Sequence, residues 1–175
     1  MKNNFKNGVL SFALLVLIYQ IFSLNFLTGK MMFSEASTFS WEETQLENDY
    51  LDIQNISDVS GNSDGTNLIA TRNGGHIYLS QDGGISWVER KPAGDEELSW
   101  GASAVSEDGT HFLAGVLGGR LYLSTDSGSN WAETGPSIGT NKNWYSAAMN
   151  FDGSIIVVSE GWGVGRLYLS TDGGG

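Results

Sequence analysis

Cysteine is absent from this 175-residue chain, which removes disulfides, thiolate nucleophiles and cysteine metal sites. The compartment stays open, because exported proteins can do without disulfides. Cations are scarce: nine Lys and Arg stand against 20 Asp and Glu, a formal net charge of −11. A phosphate-binding surface needs clustered positive charge, so nucleic acid is not an expected partner. Proline occurs twice, and the 3.6-residue apolar period of helical repeats is missing. Glycine is plentiful instead, with 24 residues alongside 40% hydrophobic and 11% aromatic residues. That describes a folded, turn-rich, mostly β chain, long enough for one domain with a core.

Lys2 and Lys6 precede a mostly apolar run over residues 9–27, broken only by Ser11, Tyr19, Gln20, Ser23 and Asn25, with no charge until Lys30. The run exceeds the ~7–15 residues of a cleaved signal core and approaches the ~20 that span a bilayer. Ser34 and Ala36 place small residues at the −3 and −1 positions of a signal peptidase site. Residues 1–36 therefore read as a hydrophobic helix, either a signal peptide cleaved after Ala36 or a retained anchor, ahead of a domain over 37–175. Positive charge before the run holds the N-terminus inside and sends the rest to the non-cytoplasmic side. The expected protein is exported, secreted or anchored, and meets a membrane only through this segment.

Three later segments align: GGHIYLSQDGGISW ending at Trp87, GGRLYLSTDSGSNW ending at Trp131, and VGRLYLSTDGGG ending at Gly175. Ser80 to Ser124 is 44 residues and Ser124 to Ser170 is 46, while Asp-Gly pairs open at Asp64, Asp108 and Asp152, 44 apart each time. The two extra residues fall within 160–165, where a surface loop absorbs them. Pro92 and Pro136 each follow a repeat tryptophan by five residues, and Trp41 lies 46 before Trp87, so that 41–43 reads as an outer strand from the N-terminal side.

Between Gly, Asp and Asn turn signals, apolar or small residues alternate over four to six positions, which makes four short strands per unit. First strands fall at 55–60, 99–104 and 143–148, second strands at 68–71, 112–115 and 155–159, and third strands at 77–80, 121–124 and 167–170. Fourth strands begin at Trp87 and Trp131. Four antiparallel strands in such a unit fit the ~40–50-residue period of a β-propeller blade. The expected fold is all-β, with blades at about 44–87, 88–131 and 132–175, the last incomplete. Full propellers use ~4–8 blades, so these two and a half to three are expected to be a fragment.

Ser80, Asp82, Gly84 and Trp87 resemble the Asp box, S-x-D-x-G-x-T-W, of sialidase-like or BNR-repeat β-propellers, with Ser86 at the threonine position. Ser124, Asp126, Gly128 and Trp131 match it with Asn130 there, and Ser170, Asp172 and Gly174 make a third copy. Turn chemistry accounts for the motif: the carboxylate accepts backbone N–H bonds, the glycine takes positive φ, and the tryptophan buries its ring. These residues are expected to be structural, because each aspartate has a turn to satisfy and lacks the dense oxygen spacing of a calcium loop. In an antiparallel blade the strand one–two and three–four connections share one edge, so the boxes and Asp-Gly turns share a face. By the resemblance, ligands are expected on the opposite face.

A sialidase of this family uses an arginine triad, a tyrosine–glutamate pair and an aspartate acid. Here Arg120 and Arg166 open equivalent third strands, with His76 in the first unit, and Tyr78, Tyr122 and Tyr168 recur in every unit. Recurrence in each blade is the signature of packing, so no catalytic residue is assigned. His76 and His111 lack metal-ligand spacing, and neither metal nor cofactor is expected. Asp95, Glu96 and Glu97, with Glu47 and Asp49, place acids on the opposite face, where a solvated loop is favoured over a glycosidase carboxylate pair. Trp100 and Trp144 are equivalent and read as inter-blade packing. Trp162 is unrepeated and sits in the inserted loop, suited to a sugar or a protein partner. The candidate binding face is Arg72, Asp95, Glu96, Glu97 and Trp162.

The expected function is a non-catalytic scaffold that binds a protein or carbohydrate through its loops. Two other classes remain: a fragment of a sialidase-like or other glycoside hydrolase, and an assembly factor. The latter is similar in repeat style to the photosystem II stability factor family, whose propeller meets its partner through basic surface.

Overall fold

The computed structural model describes residues 40–42, 44, 55–136, 138–161 and 165–175. The chain divides into two units, Met1–Glu42 and Glu43–Gly175. In the first, Trp41 is exposed, and the hydrophobic helix and cleavage site expected over 1–36 lie outside the described residues.

The described part of the second unit is all-β, with eleven strands. A first antiparallel sheet runs through β1 (Ile56–Gly61), β2 (Leu68–Gly75), β3 (Ile77–Ser80) and β4 (Val88–Arg90). A second runs through β5 (Leu98–Val105), β6 (Phe112–Gly119), β7 (Leu121–Ser124) and β8 (Ala132–Thr134). A third holds β9 (Lys142–Met149), β10 (Ile156–Glu160) and β11 (Arg166–Ser170). Each sheet is a meander in chain order, as expected of consecutive strands joined by tight turns.

β2 and β6 run on to Gly75 and Gly119, four residues beyond the ends that alternation suggests. The extension is what joins the sheets. Asn73 pairs with Ser99 and Gly75 with Leu98, and 44 residues later Leu117 pairs with Asn143 and Gly119 with Lys142. The glycines that read as a break therefore carry main-chain hydrogen bonds to the next sheet.

Apolar side chains fill the two gaps between sheets. Ile69, Ile77, Leu79, Trp100, Val105, Phe112, Ala114 and Val116 form one buried cluster. Ala102, Ala104, Leu113, Leu121, Leu123, Trp144, Ile156 and Val158 form the other. Each buried aliphatic or phenyl group contributes about 1.5–3 kcal/mol. Trp100 and Trp144 are the wedges, as their repetition suggests. Each packs edge-on or tilted against the tyrosine of its own third strand, Tyr122 at 5.7 Å and Tyr168 at 5.6 Å between centroids. Each indole also donates to a carbonyl in the preceding sheet, Trp100 to Gly75 and Trp144 to Gly119.

A second set of ties runs along the outer strands. Arg90 Nε, at the end of β4, donates to the Gly128 carbonyl at 3.0 Å, and Thr134, at the end of β8, donates to that of Gly174. Thr44 does the same to Gly84. Thr44, Arg90 and Thr134 each lie three residues after a tryptophan.

Candidate binding site on the loop face

The serine–aspartate turns form one face of the sheets. Ser80 Oγ donates to Asp82 Oδ1 at 2.8 Å and accepts the Gly84 N–H at 2.8 Å; Asp82 also takes the Ser86 N–H at 2.9 Å and its hydroxyl at 2.6 Å. Ser124, Asp126, Gly128 and Asn130 repeat this at 2.8, 2.9, 2.8 and 2.6 Å. Ser170 bonds Asp172 at 2.7 Å and Gly174 N–H at 2.8 Å. Hydrogen bonds from Ser86, then Ser80, pull the Asp82 carboxyl down to about 2, and those from Asn130, then Ser124, do the same to Asp126. Trp87 is buried and gives its indole N–H to Thr44, whereas Trp131 is half-buried and gives its own to the Gly128 carbonyl.

Each of these hairpins is sewn to the Asp-Gly turn of its own sheet. Gly83, Ser127 and Gly173 donate their N–H groups to the carbonyls of Thr66, Thr110 and Ser154 at 3.1, 2.8 and 2.9 Å. Asp64, Asp108 and Asp152 in turn accept from the same Thr66, Thr110 and Ser154 hydroxyls, and all three carboxyls sit below their ordinary value, chiefly through side-chain hydrogen bonds.

The opposite face holds a recess of about 510 Å³ on the second sheet, between the β4–β5 link and the β6–β7 hairpin. One wall is the β4–β5 link with Ala93, Glu96 and Glu97; the other is the β6–β7 hairpin with Gly118, Gly119 and Arg120, closed by Tyr122 and Asn141. Gly94, at φ +86°, turns the link, and its N–H bonds the Lys91 carbonyl at 3.0 Å. Across the hairpin the Val116 N–H bonds the Arg120 carbonyl at 2.9 Å. Arg120 is committed to Glu133, with Nη1 2.5 Å from Oε2. Glu133 accepts the Gly139 N–H on its other oxygen, and that bond first, then Arg120, holds its carboxyl below the usual range. Burial pushes the Tyr122 phenol up. With Arg120 neutralised by Glu133, the two free carboxylates of the lining, Glu96 and Glu97, give the recess a negative field.

Glu96 and Glu97 are thus brought together at the recess. Asp95 beside them points to solvent and pairs with Lys91 at 3.2 Å. Arg72 lies in β2, its side chain against Gly75. Trp162 lies outside the described residues. Sequence reasoning read Arg120 and Tyr122 only as repeat positions and singled out neither Glu133 nor Asn141. A signal for the ion pair was present: Glu89 and Glu133 each stand 13 residues after His76 and Arg120, and Glu89 Oε1 lies 2.8 Å from His76 Nδ1. Among the described residues no group of three or more His, Asp or Glu is placed to hold a metal ion.

No family model matches the chain, and no curated protein matches it. Solved structures do. YCF48 bound to a D1 peptide aligns with a TM-score of 0.60 at 17% identity, over 79% of this chain and 42% of that one. YCF48 from Cyanidioschyzon merolae aligns at 0.58 and 16%, over 78% and 38%. A GH74 enzyme from Niastella koreensis aligns at 0.50 and 22%, over 66% and 16%. These neighbours are β-propellers, and the chain has their fold. It spans about two fifths of the length of the YCF48 chains.

Proposed function

We propose that the protein is an exported, non-catalytic β-propeller scaffold that binds a protein partner, as an extended segment bearing basic side chains, in the recess between the β4–β5 link and the β6–β7 hairpin. The observation that carries this reading is the composition of the recess. Its one arginine is consumed by Glu133, while Glu96 and Glu97 keep their charge open to a ligand. A cationic side chain entering between Arg120 and the β4–β5 link meets two carboxylates with no competing base. The likeness to a YCF48 chain bound to a D1 peptide supports a peptide over a sugar. On this reading the serine–aspartate turns are BNR-type Asp boxes that hold hairpins, and residues 1–36 deliver the domain outside the cytoplasm.

The test is a fluorescence-polarisation panel of basic, neutral and acidic dodecapeptides, run beside a glycan array. Basic peptides are expected to bind, to weaken as salt rises, and to be lost from the Glu96→Lys, Glu97→Lys double variant. Glycan binding without peptide binding would replace the protein reading with the carbohydrate one. Turnover of chromogenic glycosides would replace both with a hydrolase.

A further inference from the structure

A second recess, of about 230 Å³, adjoins the one that Glu96 and Glu97 line. Ser99 and Leu117 form part of both, and Asn73, Asn143 and Tyr145 complete the second. Its floor is the pair of strand junctions that join the sheets, where Asn73 faces Ser99 and Leu117 faces Asn143. The Asn143 carboxamide oxygen lies beside Gly118, which walls the first recess. Together the two make one groove from the β4–β5 link to Tyr145 in β9.

The amides of this floor are uncommitted. Asn62, Asn67, Asn130 and Asn150 use their carboxamides within the serine–aspartate and Asp-Gly turns. Asn73 and Asn143 make no side-chain hydrogen bond among the described residues. A carboxamide sets a donor beside an acceptor, the complement of a peptide group's C=O and N–H. Facing an open groove, it can hold the main chain of an extended segment whatever its sequence, while adjoining pockets select side chains. The floor has no charged side chain, so the group it takes is neutral. Half-buried Leu117 and the Tyr145 ring, which rests on Gly161 and leaves the residue 41% exposed, supply its apolar surface.

We propose that the segment whose basic side chain enters the first recess runs on across this floor, with its main chain bonded by Asn73 and Asn143 and an apolar side chain seated on Leu117 and Tyr145. This occupancy rests on the peptide reading above and adds a sequence rule to it. Alternate side chains of an extended chain share a face about 7 Å apart, so the apolar residue stands two places from the basic one.

Fluorescence polarisation of the full 175-residue chain in detergent micelles provides the test. The probes are serine–glycine dodecapeptides with one central arginine, into which a single leucine is placed at each neighbouring position in turn. Leucine two places from the arginine, on one side, is expected to tighten binding about tenfold over serine. The Asn73→Ala, Asn143→Ala double variant is expected to weaken that peptide about tenfold and to keep its salt dependence, because Glu96 and Glu97 remain. N-methylation of the residue between arginine and leucine should cost a similar factor on the unmodified protein, a readout independent of how the variant folds. Arginine peptides that bind and fade with salt, but gain nothing from leucine at that spacing, would overturn the groove and leave the recess reading intact. So would indifference to both the double variant and N-methylation. Failure of every arginine peptide to bind would overturn the recess and the groove together. Binding of cellohexaose that the double variant abolishes would give the floor to a sugar and overturn the peptide rule.

Discussion

Trp100 donates its indole N–H to the carbonyl oxygen of Gly75 at 2.9 Å, at the residue where β2 reaches across to β5. One side chain thus fills the gap between two sheets and satisfies the carbonyl beside their main-chain junction. A buried tryptophan needs such a partner for its N–H, and the repeat supplies it again at Trp144 and Gly119. Trp100→Ala is expected to cost about 3–5 kcal/mol through the cavity it leaves. Trp100→Phe, which keeps most of the ring and removes the donor, is expected to cost about 1–3 kcal/mol. Urea unfolding measures both, and a loss below about 1 kcal/mol for the alanine variant would refute the wedge role assigned to this residue.

The acid limb of stability is expected to bear the mark of the turns. Asp82 and Asp126 hold their carboxyls at about 2, against 3.8 for an ordinary aspartate, so the unfolded chain takes up protons first as pH falls. Their contribution is complete above about pH 4 and drains away as pH falls towards 2. Stability curves measured between pH 5 and 2 should flatten in the Asp82→Asn, Asp126→Asn double variant. An unchanged slope would mean that other carboxylates govern acid unfolding.

Ser80 and Ser124 are buried hydroxyls that each accept a glycine N–H and donate to an aspartate, whereas Ser170 does so in a more exposed turn. Ser80→Ala and Ser124→Ala should each cost about 1–3 kcal/mol, since the serine hydroxyl that is lost is itself buried and leaves the glycine N–H without its acceptor. Ser170→Ala should cost less, because water can replace the hydroxyl. Thermal melts of the three variants rank them, and equal losses would contradict the dependence on burial.

Gly128 and Gly139 share a backbone φ of +82°, yet their surroundings differ. A Cβ at Gly128 would lie 2.1 Å from Leu79 Cδ1 in the preceding sheet, while a Cβ at Gly139 would meet nothing within 4 Å. Gly139→Ala therefore reports backbone strain alone, about 1–3 kcal/mol, and Gly128→Ala should lose more because Leu79 must move. A Gly128→Ala melt no lower than that of Gly139→Ala would show that the gap between sheets yields freely.

Third strands were legible almost to the residue. Ile77–Ser80 and Leu121–Ser124 have glycine on one side and the serine–aspartate turn on the other, so punctuation fixed both ends. The second strands of the first two sheets were read four residues short, because the stretch that ends at Gly75, like its repeat ending at Gly119, contains two glycines and no alternation, whereas that of the third sheet was read one residue early. The partner of the first stretch, β5, is hydrogen-bonded from more than 20 residues away, and local periodicity carries no trace of that. Glu96 and Glu97 were picked out in the sequence, and both line the recess. The Arg120–Glu133–Gly139 cluster was not, because Glu133 looks like any solvated acid until β8 pairs with β7 and the following link brings the Gly139 N–H to it. Recurrence was a good guide at Trp100 and Trp144 and at Ser80 and Ser124, which met equivalent neighbours, but not at Trp87 and Trp131, whose indoles found different acceptors.

The bonds from Gly83, Ser127 and Gly173 to the carbonyls of Thr66, Thr110 and Ser154 have a bearing on how such a protein changes over generations. On that rim, every connection is welded to its neighbour, so an insertion there would have to unpick two turns together. Among the described residues the far rim shows no backbone bond of that kind between its turns, only the side-chain link through Glu133, and it is on that rim, within 160–165, that the third unit is longer by two residues. A lineage built this way can rewrite one rim to suit new partners while inheriting the other unaltered.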